Sequence, residues 1–257
     1  IAALGALMDA QALAKDDAQS LATAQQLIEA ARAAGDEHAE LRGWRGMAAA
    51  HAFEGRYEQA LAVHDARAGW LRAQPPRADV LSWAVDRAYI LERIGRAEEA
   101  AAAYAAVAAR AIEHGHPAIA YEALSNQVMS TFRLGLTGRA LELAIAAERL
   151  ATTHDGVPQH NAIDQATRGA IERDAGLFTD AVPRLEGAAA AAHAEGAGGW
   201  LPSIHDALAA TFARLGQHHR AHRLLVEPHD AAQAADRIGR LIQRAQARRL
   251  DPARSGG

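Results

Sequence analysis

The chain has 257 residues and a formal net charge of −4, and half of its residues are apolar although only 5% are aromatic. This slightly acidic balance argues against a nucleic-acid-binding domain, which usually carries a basic face. Cysteine is absent, which excludes a disulfide framework, a thiolate nucleophile and a zinc–sulfur site. The first apolar run, IAALGALMDAQAL, is too short to span a bilayer. The first residue is not Met, so we expect a processed form or a piece of a longer protein.

A regular recurrence of glycine and alanine divides most of the chain. Gly55, Gly95, Gly135, Gly176 and Gly216 follow one another at steps of 40, 40, 41 and 40 residues, and an alanine stands five residues after each. Strand patterns are absent, and alanine is the best helix former. A fixed period of this length is typical of stacked repeats. The pattern therefore predicts an all-α chain with a tight turn at each glycine and a helix–helix contact at each alanine.

The helix pairs can be placed in chain order. A first, divergent unit over residues 1–35 has predicted helices at about Ile1–Leu13 and Ala18–Ala34, and Gly35 ends the second. The clearer units are predicted over residues 36–76, 77–115, 116–156, 157–198 and 199–229. A capping helix over 230–250 completes a single repeat domain over 1–250, and a disordered tail follows over 251–257. We expect the four tryptophans to lie in the core between helices (Trp44, Trp70, Trp83 and Trp200).

The stretch from Trp44 to Ala60, WRGMAAAHAFEGRYEQA, resembles the tetratricopeptide repeat. It has an aromatic residue, then a small residue, then Gly55-x-Tyr57 and Ala60 in the order of that motif. The glycine and the alanine match in all five units, whereas Trp44 has no aromatic counterpart in the later units. The resemblance implies a right-handed superhelical solenoid of antiparallel helix pairs, about six pairs plus the capping helix. Such long-period units resemble those of bacterial signalling and regulatory proteins.

The resemblance also implies which residues face the groove that the first helix of each pair lines. The peptide-binding candidates are Arg45, Asp86, Tyr89, Arg93, Asn126, Met129, Arg133 and Arg173. An asparagine can bond both the N–H and the C=O of a peptide backbone, and an arginine can clamp a carboxylate. Asn126 is the first choice, and its alternatives are a solvated residue or a hydrogen bond between helices. The recurring arginines also suit the C-terminal end of a helix without any ligand.

No catalytic constellation is present, so we expect no enzyme and no cofactor. His218, His219 and His222 include an i, i+4 pair, but no Glu lies between them in the metalloprotease arrangement, so a structural or exposed role is favoured over a metal site. The leading hypothesis is a cytoplasmic scaffold for a protein or peptide partner, the sensory or interaction arm of a larger bacterial regulator. It would contact neither a membrane nor a nucleic acid. The alternatives are a self-association module, a small-molecule-sensing domain of a transcription or cyclic-nucleotide regulator, and an enzyme with a histidine metal site.

Overall fold

The structure, a computed structural model, describes residues 1–14, 16–157 and 161–226. Within that range the fold is all-α, with twelve α-helices and one short 3₁₀ turn at Gly198–Trp200. The helices are α1 (Ala2–Leu13), α2 (Asp17–Ala34), α3 (Glu37–Phe53), α4 (Tyr57–Ala73), α5 (Ala78–Arg93), α6 (Ala97–Glu113), α7 (Pro117–Arg133), α8 (Thr137–Thr153), α9 (Ala162–Asp174), α10 (Phe178–Ala194), α11 (Leu201–Arg214) and α12 (His218–Val226). The prediction of an all-α fold of tandem helix pairs is confirmed.

The borders of α2 and α3 follow from local chemistry. The Asp16 carboxylate accepts a hydrogen bond from the Gln19 N–H at 3.2 Å, and the Asp36 carboxylate accepts one from the Ala39 N–H at 2.9 Å. These caps satisfy N–H groups that have no partner inside the first turn of a helix. Helix α2 ends at Gly35, which has a φ of 68°, as the sequence predicted.

All five predicted turns contain a glycine in the left-handed region. The φ angles are 75° at Gly55, 86° at Gly95, 80° at Gly135, 82° at Gly176 and 73° at Gly216. The alanine five residues later is 0% exposed in the first four cases and 7% in the last (Ala60, Ala100, Ala140, Ala181 and Ala221). A residue without a side chain adopts this φ freely, and a small residue lets paired helices approach. The predicted turn positions are confirmed.

The turn between α4 and α5 is built differently. Pro75 and Pro76 stand where the 20-residue spacing of turns would place another glycine, and Gln74 before them is extended, with a ψ of 148°. Proline fixes φ near −65° and removes a backbone donor. This connection is therefore stiffer than the glycine turns on either side of it.

The helices group into two compact units, Ile1–Gln159 and His160–Gly257. The single repeat domain over 1–250 stays a prediction. In the N-terminal unit, α1 to α8 pack consecutively, and Leu27, Leu41 and Trp83 are among the buried side chains. In the C-terminal unit, α9 to α12 pack consecutively around a core that includes Leu185 and Phe212. The predicted capping helix over 230–250 and the tail over 251–257 lie outside the described residues.

The C-terminal unit also holds a buried ionic group. The Glu172 side chain on α9 is 3% exposed, and its carboxylate accepts hydrogen bonds from Arg168 Nε at 2.7 Å and from Arg184 Nε at 3.1 Å. A carboxylate this deeply buried is tolerated only when it is paired and hydrogen-bonded. Arg168 pairs with Glu172 inside α9, and Arg184 ties α10 to α9.

The tryptophans lie in different environments, so the prediction of four core tryptophans holds only in part. Trp83 is 2% exposed and agrees with it. Trp44 and Trp70 are half-buried and pack against the core between α3 and α5. For Trp200, which is 46% exposed, the prediction was wrong. This residue closes the 3₁₀ turn ahead of α11, and does not lie on a packed helix face.

Candidate functional site

The first helices of successive pairs form one surface of the N-terminal unit. Helix α1 contacts α3, α3 contacts α5, and α5 contacts α7. Among the described residues of this unit, the second helices α2, α4, α6 and α8 make no comparable contacts with one another. In a stack of repeats, the closer spacing lies on the inner side of the curve. We call the surface of α1, α3, α5 and α7 the inner face, and it is where the resemblance places a groove.

A cavity of about 490 Å³ opens on the inner face between α1, α3 and α5. Three of the predicted site residues line it, namely Arg45 on α3 and Asp86 and Tyr89 on α5. Tyr89 is 45% exposed, and Phe53, which also lines the cavity, is 70% exposed. The volume falls in the range of small-ligand sites, about 300–1,000 Å³. The structure thus brings part of the predicted site together around a real concavity.

An ion pair and a hydrogen-bonded pair join neighbouring first helices across the inner face. Arg45 Nε donates to Asp86 Oδ2 at 2.8 Å, and His38 Nδ1 lies 3.0 Å from Asp79 Oδ2. Both pairs are 41 residues apart in sequence, one more than the repeat period. Burial raises the pKa of Asp86, although the Arg45 guanidinium opposes the shift. Arg45 and Asp86 therefore satisfy each other in the absence of a ligand.

The predicted arginines at the ends of α5 and α7 also have partners. Arg93 donates to the Tyr57 hydroxyl from Nη2 at 2.9 Å and from Nε at 3.1 Å, and its guanidinium lies 5.1 Å from the ring centroid. Arg133 pairs with Glu92, whose side chain is only 9% exposed and also accepts a hydrogen bond from Ser130 Oγ at 2.9 Å. These cations fasten one repeat to the next, a role that their recurrence in the sequence did not reveal.

The arginines of the C-terminal unit also have partners, although only Arg214 reaches another helix. Arg173 Nε donates to Asp174 Oδ1 at 2.7 Å, and the Arg214 guanidinium lies 5.2 Å above the Phe178 ring. Phe178 stands at the repeat position that Tyr57 occupies in an earlier repeat, so the arginine–aromatic contact recurs. Arg173 thus lies in a different unit from the other seven candidates.

Asn126 on α7 is half-buried, and its amide makes no hydrogen bond with any described residue. Met129, one turn later, is half-buried as well. One turn earlier, partial burial and the nearby Asp86 carboxylate raise the pKa of Glu122. Helices α5 and α7 are in contact, and the influence of Asp86 on Glu122 agrees with a position of this part of α7 beside the cavity-lining part of α5.

His64 lines the cavity from the second helix α4 and was not among the predicted site residues. Its side chain is 1% exposed and meets the Trp83 ring edge-on, with centroids 4.4 Å apart at 60°. Burial, followed by the positive charges of Arg87 and Arg45, lowers the pKa of His64 to about 4. A signal was available: Ala60, Leu61 and His64 share the spacing of a buried helix face.

The predicted histidine group lies on α12, where His218, His219 and His222 are exposed. In the described ranges no three His, Asp or Glu side chains come together in an arrangement that would hold a metal ion. None of the described helices combines the length and the apolarity needed to cross a membrane.

No protein-family model and no curated protein matches the chain. Solved structures do match: BtubC (BKLC) from P. vanneervenii has 19% identity and a TM-score of 0.65 over 88% of this chain and 92% of its own. The apo form of RapI has 11% identity and a TM-score of 0.63 over 92% of this chain and 83% of its own. A Podosopora anserina putative kinesin light chain with nearly identical TPR-like repeats has 15% identity and a TM-score of 0.57, over 78% and 96% respectively. The chain has a tetratricopeptide-type fold.

At these identities the likeness concerns the fold, and a fold does not carry a partner with it. The tetratricopeptide-type arrangement explains why first helices supply the inner face and why the small alanines recur. What the inner face binds has to be argued from its own side chains.

Proposed function

We propose that the chain is a non-enzymatic scaffold that binds a segment of a partner protein along the inner face of α3, α5 and α7. The observation that carries the proposal is Asn126, a half-buried residue on α7 for whose amide no hydrogen bond to a described residue is found. A primary amide offers two donors and one acceptor. A peptide backbone supplies an N–H and a C=O that complement such an amide.

The surroundings of Asn126 suit an uncharged part of a peptide. Tyr89 is exposed and Met129 is half-buried, and both offer apolar contact area. A ligand carboxylate would have to displace Asp86 from Arg45, or Glu92 from Arg133, to reach either guanidinium. Removing a partner from a part-buried charge costs about 1–3 kcal/mol, which disfavours the acidic peptide that a free row of arginines would attract.

The test is binding of a peptide array to the Asn126→Ala variant. We expect a loss of at least about tenfold in affinity for the peptides that the unchanged protein retains, since two hydrogen bonds are removed. Gln59→Ala, at an exposed position on α4, is the matched control and should bind as the unchanged protein does. Equal binding by the Asn126 variant, with an unchanged circular dichroism spectrum, would remove Asn126 from the site and the proposal with it.

A second candidate function is self-association, which the exposed leucines of α1 favour. Leu7 is 49% exposed and Leu13 is 86% exposed, and the helix carries a single charged residue, Asp9. Sedimentation of the unchanged protein and of a Leu7→Gln, Leu13→Gln variant tests it. A concentration-dependent dimer that the variant abolishes supports self-association, and a monomer at all concentrations rejects it.

The finer assignments, to the sensory or interaction arm of a larger bacterial regulator and to the cytoplasm, stay predictions that rest on the repeat resemblance. The sequence of the full gene product tests the first, and fluorescence microscopy of a tagged protein tests the second.

A further inference from the structure

The His64 ring is a buried polar group that the fold leaves unsatisfied. Its Nδ1 is buried and has no hydrogen-bond partner among the described residues. The neighbouring Trp83 Nε1 is likewise buried without a partner in the described part of the chain. Most buried polar atoms in proteins are hydrogen-bonded, and each exception calls for an explanation.

The charge state of His64 defines what would satisfy it. A neutral imidazole has one nitrogen that donates and one that accepts, and burial beside Arg87 and Arg45 keeps this ring neutral at pH 7. A cation would meet the same arginines that disfavour protonation of the ring. The complementary group is therefore uncharged and able to both donate and accept, as a hydroxyl does.

The side chains that line the cavity indicate the chemical character of the rest of the ligand. Met8, Leu41 and Ile90 give it apolar sides, and Tyr89 stands exposed beside them. The central charges of the lining are paired within the protein, as the Arg45–Asp86 bridge shows. An apolar body without formal charge fits this lining better than an ion does.

Equivalent positions in the other repeats show that packing does not require a polar ring here. Steps of 40, 40 and 41 residues from His64 lead to Tyr104, Ala144 and Leu185. Leu185 is 0% exposed, so an apolar side chain fills this position well. Tyr104 is also 0% exposed, and its hydroxyl has no hydrogen-bond partner in the described residues. The hydrogen-bonding capacity of His64 is thus surplus to the needs of the fold.

We propose that the cavity between α1, α3 and α5 binds a phenol ring, the side chain of a tyrosine in the bound partner, with its hydroxyl hydrogen-bonded to His64. The ring lies between Met8, Leu41 and Tyr89, and the hydroxyl makes one hydrogen bond with the imidazole, as donor or acceptor according to the tautomer of His64. The inference rests on the proposed function, because it names the anchor residue of the peptide that the inner face holds.

The experiment uses p-cresol as the side-chain mimic, with toluene and p-toluate as matched probes, and follows the ¹⁵N shifts of the histidine rings by NMR. We expect p-cresol to bind saturably, to shift His64 more than any other histidine, and to bind about tenfold more tightly than toluene, which lacks the hydroxyl. His64→Leu should bind both probes equally, whereas the exposed His114→Leu should keep the difference.

Ala49→Phe provides a second variant that leaves His64 in place. Ala49 lines the cavity, so the larger side chain fills it and should abolish binding of every probe. Equal affinity for p-cresol and toluene, tighter binding of p-toluate, or no saturable binding overturns the proposal. Peptides that bind through Asn126 while p-cresol does not would reject the tyrosine anchor and leave the scaffold function standing. If the cavity binds p-cresol but the protein binds no peptide of the array, the scaffold function is rejected instead.

Discussion

Lowering the pH from 7 to 5 is expected to destabilise the N-terminal unit through His64. The pKa of this residue is about 4 in the folded protein, because of burial and the positive charges of Arg87 and Arg45, which outweigh Asp65. Its ordinary value in an unfolded chain is about 6.5. Between these values the unfolded state binds a proton that the folded state does not, so stability falls as the pH falls.

The magnitude follows from the separation of the two pKa values. Each pKa unit corresponds to about 1.4 kcal/mol, so the His64 contribution, fully present above about pH 7, declines by about 3 kcal/mol once the pH reaches 4. About 2 kcal/mol of this loss should already appear at pH 5. Solvent screens a charge on His64 little, because the side chain is 1% exposed.

The assay is urea unfolding followed by circular dichroism at pH 7 and pH 5, for the unchanged protein, His64→Leu and the control His114→Leu. The unchanged protein and the control should lose about 2 kcal/mol more between the two pH values than His64→Leu does. Burial raises the pKa of Asp86 and Glu122, but these carboxyls are present in all three proteins and cancel in the comparison. An equal loss in His64→Leu would refute the reasoning.

Three further substitutions test the packing and the ion pairs, each by urea unfolding. Ala100→Leu should lower the free energy of unfolding by about 1–3 kcal/mol, because the alanine is 0% exposed and leaves no room where α5 and α6 touch. Ala102→Leu, at an exposed position, should not lower it. Equal urea midpoints for the two variants would contradict the helix register. Arg133→Ala should cost about 1–2 kcal/mol, because it strands the part-buried Glu92 carboxylate; unchanged stability would show that the pair contributes nothing. Glu172→Ala should cost about 3–5 kcal/mol, because two arginines lose the buried carboxylate between them; a cost below about 1 kcal/mol would argue against a buried pair.

The turns and helix pairs could be predicted because their causes are local. Gly95 needs no distant partner to adopt a φ of 86°, and Ala100 is buried by the helix that immediately precedes it. A periodic sequence repeats such local causes, so the five glycine–alanine pairs together fix the positions of the turns and of the helix pairs. The 46% exposure of Trp200 escaped this reasoning, since a short 3₁₀ turn has no periodic signal.

The candidate site was predicted less well, because partners across repeats depend on how neighbouring helices are rotated and tilted. The sequence places Arg45 and Asp86 on first helices, but only the structure shows that they bond at 2.8 Å. Opposite charges 41 residues apart, as in Glu92 and Arg133, could have indicated these pairs. They were overlooked because equivalent positions were compared at a spacing of 40. His64 was not predicted because the candidate residues were chosen only from the first helix of each pair, and His64 lies on a second helix.

The two prolines between α4 and α5 have a consequence for the cavity. Because proline fixes φ, Pro75 and Pro76 limit how far α5, which forms one wall of the cavity, can move relative to α4. The contacts of Arg45 with Asp86 and of His38 with Asp79 join α3 to α5 beside the cavity. The Arg45 side chain is 39% exposed. Salt screens partly exposed charges of this kind. Raising the salt concentration should therefore weaken the Arg45–Asp86 pair beside the cavity, while the buried, uncharged alanine contacts should be unaffected.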